Sequence, residues 1–188
     1  VSFSEEGGIY RISTQALRLD IHKENFRIEI RGAEGALITE SSGQTKNEFA
    51  LAMDSWPLGF IRDRNSGMTY GVESFVLYPG EAVYGFGEKF SAFNKVGQNI
   101  GLWNCEGIGN TTWRAYKHVP FFWSTRGYGV YVNESKPVTY WVGTREICRN
   151  VFAVEGDLID YYFFAGKPRE VLEAYTDLTG KPAVPPRW

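Results

Sequence analysis

A chain of 188 residues is long enough for one domain with a substantial core, and its 22% of charged residues is typical of a globular protein. The net charge of −2, without any run of basic residues, argues against nucleic acid as a partner, because phosphate recognition needs a cationic patch. No apolar stretch approaches the ~18 residues that cross a bilayer, so no membrane partner is expected. Aromatic residues make up 16% of the chain and favour β-strands.

The first 80 residues predict a succession of short strands. Apolar and polar residues alternate there, as they do in strands with one buried face. The predicted strands in this part cover residues 8–14, 16–22, 26–30, 36–39, 49–53, 58–62 and 69–77. Residues rich in Gly, Asn and Pro separate them at 23–25, 32–35, 65–67 and 79–80, where turns are expected.

The segment 84–123 combines glycines, aromatic rings and polar groups, and it predicts a loop-rich region. Gly85 and Gly87 flank an aromatic residue and permit backbone angles that a side chain would forbid. Flat rings beside amide and carboxylate groups suit a sugar, which has apolar C–H faces and a rim of hydroxyls. The alternative is that the rings belong to the core and the polar residues to a solvated loop.

The remaining residues predict four more strands and one helix. The strands cover 128–133, 137–142, 147–154 and 158–164, which makes about a dozen in all and indicates an all-β, antiparallel β-sandwich. A helix is predicted over 168–178, with Pro168 in its first turn and Gly180 as its C-terminal cap. Its apolar residues are Val171, Leu172, Tyr175 and Leu178. The chain therefore divides into a sandwich domain, 1–166, and a helix with a linker, 167–188.

Several kinds of site are not indicated. Phe90 occupies the third glycine position of a dinucleotide fingerprint, and the two histidines lack metal-ligand spacing, so neither a cofactor nor a metal is expected. Cys105 and Cys148 each stand alone and are predicted to be free thiols in a reducing compartment, which indicates a cytoplasmic protein. Glu88 is predicted to form a structural ion pair with Lys89 or Arg126.

The second half of the chain resembles glycoside hydrolase family 31, the retaining α-glycosidases, and most closely its α-xylosidase branch. The matching segments are YGFGEKF at 84–90, GQ at 97–98, WN at 103–104, AYKHVPF at 115–121, RGYGVYVN at 126–133 and LTGKPAVPPRW at 178–188. The resemblance implies an N-terminal sandwich similar to galactose mutarotase folds, followed by a (β/α)8 barrel. That barrel carries two catalytic aspartates and begins after PPRW, so no catalytic residue is predicted within this chain.

The resemblance also implies where sugar is contacted. In the family, an aspartate after the Trp-Asn pair contacts sugar in a leaving-group subsite, and Glu106 stands at the matching position, one carbon longer. The predicted loop 97–114 would carry it to the rim of the active site. The predicted substrate-binding residues are Glu106, Trp103, Asn104, Phe93 and Trp113.

The function implied is that of an accessory domain of a retaining α-glycosidase in carbohydrate metabolism, acting on terminal α-linked xylose or glucose. Its partners would be the enzyme's own barrel and an oligosaccharide or glycoside substrate, with homo-oligomers of the intact enzyme left open. By itself the domain is predicted to be inactive. The alternatives are a free-standing carbohydrate-binding module and an aldose epimerase with a His and a Glu as acid and base. Only His118 lies near the central segment, and the terminal helix with PPRW favours the accessory domain.

Overall fold

A computed structural model describes residues 1–41, 58–106 and 114–187. The described chain forms three antiparallel sheets and one C-terminal helix, so the prediction of an all-β sandwich with a short helix is confirmed. The strand predicted at 49–53 and the site residue Trp113 lie outside the described residues.

The first sheet contains five strands in chain order. They are β1 (Ser2–Glu6), β2 (Ile9–Ser13), β3 (Leu17–His22), β4 (Arg27–Gly32) and β5 (Leu37–Glu40). Alternation gives this sheet one apolar face, and Ile30 on that face is almost fully buried in the core. The charged residues of the opposite face pair with one another, as Arg11 does with Asp20. Strand β1 was not predicted, because its sequence SFSEE is exposed throughout and shows no buried face.

Two further sheets enclose most of the core. The order of one is β6-β7-β13-β12-β9, and that of the other is β14-β11-β10-β8. Their strands are β6 (Gly59–Arg62), β7 (Thr69–Val76), β8 (Val83–Gly87), β9 (Gln98–Leu102), β10 (His118–Ser124), β11 (Tyr128–Val132), β12 (Val138–Val142), β13 (Arg149–Glu155) and β14 (Tyr161–Ala165). Aromatic rings meet between the sheets: the Tyr140 ring centroid lies 4.7 Å from that of Phe86 and 6.0 Å from that of Phe122.

The helix α1 (Pro168–Thr179) packs on the outer face of the four-stranded sheet. Its buried residue Val171 lies over Gly129, where an added Cβ would come within 2.4 Å of the valine Cγ1. The ring of Tyr175 stacks on that of Phe121 with centroids 4.2 Å apart. At the helix start, the Glu170 carboxylate accepts a hydrogen bond of 2.8 Å from the backbone N–H of Lys167.

The prediction of a loop-rich central segment was wrong in part. Strands β8 and β10 form half of the four-stranded sheet, and β9 is an edge strand that occupies the first part of the predicted loop 97–114. The glycines in VYGFG and QNIGL interrupt the alternation from which strands were predicted. The connection that follows β9 therefore starts after Leu102, not at residue 97 as the sequence predicted.

Candidate functional site

The candidate site lies where β9 ends and β10 begins. Two hydrogen bonds join the described residues at the start of this connection to those at its end. The backbone N–H of Cys105 donates to the Ala115 carbonyl at 3.3 Å, and the backbone N–H of His118 donates to the side-chain oxygen of Asn104 at 2.8 Å. Residues 103–106 are thus tied to the start of β10, although they lie in no strand.

The YGFG motif explains how β8 can support this connection so closely. Gly85 and Gly87 have φ of 121° and 77°, which favour glycine. A Cβ at Gly87 would come within 2.3 Å of the Lys117 carbonyl oxygen, and one at Gly85 within 2.6 Å of the Phe121 oxygen. The pairing of β8 with β10 also shifts register between these two contacts. The glycines therefore let the backbones touch, while Phe86 between them fills the core.

Glu106 is exposed, and the hydroxyl of Tyr116 donates a hydrogen bond to its Oε1. Within the described part of the chain, Oε2 of Glu106 makes no hydrogen bond. A carboxylate held at one oxygen and free at the other can accept a hydrogen bond from a ligand hydroxyl.

Trp103 and Asn104 line a cleft of about 410 Å³, which we call the Trp103 cleft. The side chain of Trp103 is 53% exposed, so one face of the indole remains available to a ligand. The lining residues are Leu102, Trp103, Asn104, His118, Pro120, Glu134, Ser135, Lys136 and Val138. Glu106 does not line the cleft, although it follows two residues after Asn104.

Phe93 lies away from the cleft. Its ring is 77% exposed and contacts Tyr84, with centroids 4.9 Å apart, and Tyr84 in turn contacts Trp123 at 4.6 Å. The structure thus brings Trp103 and Asn104 together, places Glu106 beside them in the chain, and puts Phe93 in a separate aromatic row.

Two basic groups, one of which lines the Trp103 cleft, are in contact. The Lys89 ammonium donates to Nδ1 of His118 and, at 3.0 Å, to the Gly101 carbonyl. Burial, with a smaller effect of the Lys95 charge, lowers the pKa of Lys89 to about 8, and burial together with the Lys89 charge lowers the pKa of His118. Since Lys89 donates to Nδ1, the imidazole is neutral with its proton on Nε2. Strand pairing alone brings these residues together, so no local sequence signal predicted the contact.

The predicted ion pair of Glu88 is not formed within the part of the chain that the structure describes. Glu88 is exposed, whereas Lys89 turns toward His118. The guanidinium of Arg126 instead donates to the carbonyls of Ile38 and Leu37, at 2.7 and 3.0 Å. Adjacent residues of an extended chain point to opposite sides, which separates Glu88 from Lys89, and the carbonyls of Leu37 and Ile38 hold Arg126.

The buried carboxylates in the described ranges each have separate partners. They are Asp20, Glu73 and Glu81. Their side-chain partners are Arg11, Arg18 and Arg31 for Asp20, Tyr161 for Glu73, and Ser124 and Tyr128 for Glu81. These contacts are typical of structural carboxylates, not of two carboxyls that flank a scissile bond.

The described ranges contain neither a candidate metal site nor a disulfide. No group of three or more His, Cys, Asp or Glu side chains there could hold a metal ion. Cys105 and Cys148 are free, as predicted. The one helix found there is too short and too polar to cross a membrane.

Residues 1–140 match the sequence profile of the glycosyl hydrolase 31 N-terminal galactose mutarotase-like domain. The chain belongs to this family. The predicted resemblance to glycoside hydrolase family 31 is therefore confirmed, and so is the galactose mutarotase-like sandwich. Since the match includes β1–β11 and most of β12, the family assignment covers the connection that carries Trp103, Asn104 and Glu106.

Relatives of this glycosyl hydrolase 31 domain are much longer proteins. It is 36% identical to the α-xylosidase XylQ of Lactiplantibacillus pentosus over 83% of this chain and 19% of that protein. It is 32% identical to an α-xylosidase of Emericella nidulans over 98% of this chain and 24% of that protein. The structure of a Flavobacterium johnsoniae family 31 dextranase complexed with glucose superposes with a TM-score of 0.80 at 28% identity, over 100% of this chain and 21% of the dextranase. The chain thus spans about a fifth of the relatives it matches.

Proposed function

We propose that this chain is the N-terminal accessory domain of a retaining α-glycosidase that hydrolyses terminal α-linked xylose or glucose. The observation that carries the proposal is the match of 98% of the chain to only 24% of an α-xylosidase. In this proposal the sandwich is residues 1–166, and 167–188 lead to a barrel that supplies both catalytic aspartates. The free thiols favour a cytoplasmic enzyme.

The role proposed for the domain is to border the active site with residues 103–106. Glu106 would accept a hydrogen bond from the leaving-group sugar through Oε2, because Tyr116 already holds Oε1. Its exposure supports this role, since a carboxylate without a buried partner remains available to a ligand. Phe93 and Trp113 remain predicted sugar contacts. The partners are then the enzyme's barrel and an oligosaccharide or glycoside, and the oligomeric state of the whole enzyme is open.

The first experiment tests whether the chain by itself hydrolyses glycosides. The purified 188-residue chain is incubated with aryl α-xyloside and aryl α-glucoside, beside a mock preparation. We expect no hydrolysis above the mock, and measurable turnover would show that the chain holds its own catalytic pair.

The second experiment tests Glu106 in the longer enzyme. Glu106→Ala should raise KM for a disaccharide by about tenfold or more, because a hydrogen bond to a charged group contributes about 1.5–3 kcal/mol. The KM for an aryl glycoside, which has no leaving-group sugar, should stay near that of the wild type. Glu34→Ala, an exposed carboxylate on a turn of the first sheet, is the control. Equal effects on both substrates, or none, would contradict the role.

A further inference from the structure

The Trp103 cleft has the size of a small-molecule site. Its volume of about 410 Å³ lies within the range of about 300–1,000 Å³ that such sites occupy. Three strands contribute to it, through the end of β9, the start of β10 and the start of β12. It is therefore built on the sandwich, and not on the connection alone.

The cleft combines an apolar wall with a polar rim. Leu102, Trp103, Pro120 and Val138 supply the wall, and Trp103 presents an exposed ring face. Asn104, His118, Glu134, Ser135 and Lys136 supply the rim. An aromatic face with hydrogen-bonding groups around it matches a pyranose ring, whose apolar C–H faces are bordered by hydroxyls.

Polar groups of this rim have unused hydrogen-bonding capacity. Within the described residues, the ammonium of Lys136, which lies against Gly156, has neither an ion pair nor a hydrogen bond, and the NH2 of Asn104 has no acceptor. Both groups are exposed donors, so a ligand with acceptors such as hydroxyl oxygens would suit them.

The turn that carries Lys136 is fixed before any ligand arrives. The Glu134 carboxylate accepts hydrogen bonds from the backbone N–H groups of Ser135 and Lys136, at 2.8 and 3.1 Å. Asn104 is likewise held, since its side-chain oxygen accepts from the His118 backbone. The Asn104 donor is therefore preset, which lowers the entropy that is lost when a ligand binds to it.

We propose that the Trp103 cleft binds one pyranose unit of an oligosaccharide, which stacks on Trp103 and accepts hydrogen bonds from Lys136 and Asn104. The inference deepens the proposed function and rests on it for the substrate class. It adds a contact separate from Glu106, which does not line the cleft. An oligosaccharide of several units would then be held at a point beyond the leaving-group sugar.

The test measures the 19F NMR signal of Trp103 as sugar is added. The 188-residue chain is labelled with 5-fluorotryptophan, and its 19F spectrum is recorded during titration with isomaltotriose and with maltotriose. Trp103→Phe identifies the Trp103 signal, and Trp123→Phe identifies that of a partly buried tryptophan elsewhere on the sandwich. We expect the Trp103 signal to shift saturably with at least one sugar, while the Trp123 signal stays in place.

The affinities of single-residue variants then show which side chains contact the sugar. Lys136→Ala should weaken the affinity by about tenfold or more, and Lys167→Ala, an exposed lysine before α1, should leave it within about twofold. The unchanged signals of the other tryptophans report that each variant is folded.

Three results would overturn the proposal. The first is the absence of a saturable Trp103 shift up to the solubility limit of both sugars. The second is binding that is lost in Glu106→Gln but unchanged in Lys136→Ala, which would put the sugar at Glu106 and leave the proposed function standing. The third is a Trp103 shift that disappears in the longer enzyme, because the cleft would then be covered by another part of that protein. The proposed function is tested independently, by the KM of Glu106→Ala in the longer enzyme.

Discussion

Glu73 should make folding less favourable as the pH rises, and replacing it with Gln should remove that effect. It lies on the core face of β7 with no exposed surface. Its Oε2 accepts a hydrogen bond from the Tyr161 hydroxyl at 3.3 Å, and its Oε1 accepts from the Ser74 backbone at 2.7 Å. Within the described residues it has no salt bridge to a basic group. Burial therefore dominates and raises the pKa of Glu73 from 4.5 to about 7.

The sign and size follow from proton linkage. The folded protein binds this proton more tightly than the unfolded chain, so stability is lost as the pH rises from about 4.5 through about 7. Above that pH the loss in the free energy of unfolding is constant at about 3 kcal/mol, since each pKa unit corresponds to about 1.4 kcal/mol. Between pH 5 and pH 8 the free energy of unfolding falls by about 2–3 kcal/mol.

The measurement is urea unfolding at pH 5, 6, 7 and 8, followed by tryptophan fluorescence. Glu73→Gln keeps the shape of the side chain and cannot ionise, so the free energy of unfolding of the wild type relative to this variant should fall by about 2–3 kcal/mol over that range. Any cost of the new amide does not depend on pH and cancels from the slope. Glu34→Gln, at an exposed turn, should run parallel to the wild type. Parallel curves for wild type and Glu73→Gln would refute the reasoning.

Two backbone predictions can be checked by the same unfolding assay. Gly87→Ala should cost about 3 kcal/mol, because its Cβ would lie 2.3 Å from a carbonyl oxygen at positive φ, whereas Gly97→Ala, at a similar φ with open space, should cost about 1 kcal/mol. Equal costs would show that the close approach of β8 and β10 is not what requires glycine. Gly129→Ala should cost about 1–3 kcal/mol and speed hydrogen exchange in α1, and adding Val171→Ala should recover part of that loss. No recovery in the double variant would count against direct contact.

The sequence predicted those elements whose residues carry their own pattern. Residues 26–30 alternate, residues 128–133 are rich in β-branched and aromatic side chains, and 168–178 combines an apolar stripe with end signals, so their strands and helix were found. Strands β8 and β9 were missed because Gly85, Gly87 and Gly101 stand where alternation would place side chains. What makes VYGFG a strand is its partner β10, whose paired residues lie 31 to 41 positions further along the chain, and a local pattern does not contain that partner.

The same limit applies to the candidate site. The resemblance located Trp103, Asn104 and Glu106, because these residues stand in a recognisable order. It did not locate Lys136, which joins the cleft only because Val138 of β12 pairs with Leu102 of β9. Nor did it single out Tyr116, whose contact with Glu106 crosses a connection and follows from no spacing rule.

The contact with Tyr116 bears on the role proposed for Glu106, which stands where the resemblance implies an aspartate. A glutamate has one more rotatable bond than an aspartate, so an exposed one loses more conformational entropy when it binds a sugar. The Tyr116 hydroxyl holds Oε1, which removes part of that freedom before binding. The backbone of Glu106 is steadied as well, because the adjacent Cys105 N–H donates to the carbonyl of Ala115, the residue before Tyr116. In the proposed role Glu106 and Tyr116 would therefore act as one unit, and we expect the reach of the longer side chain to depend on the hydroxyl that holds it.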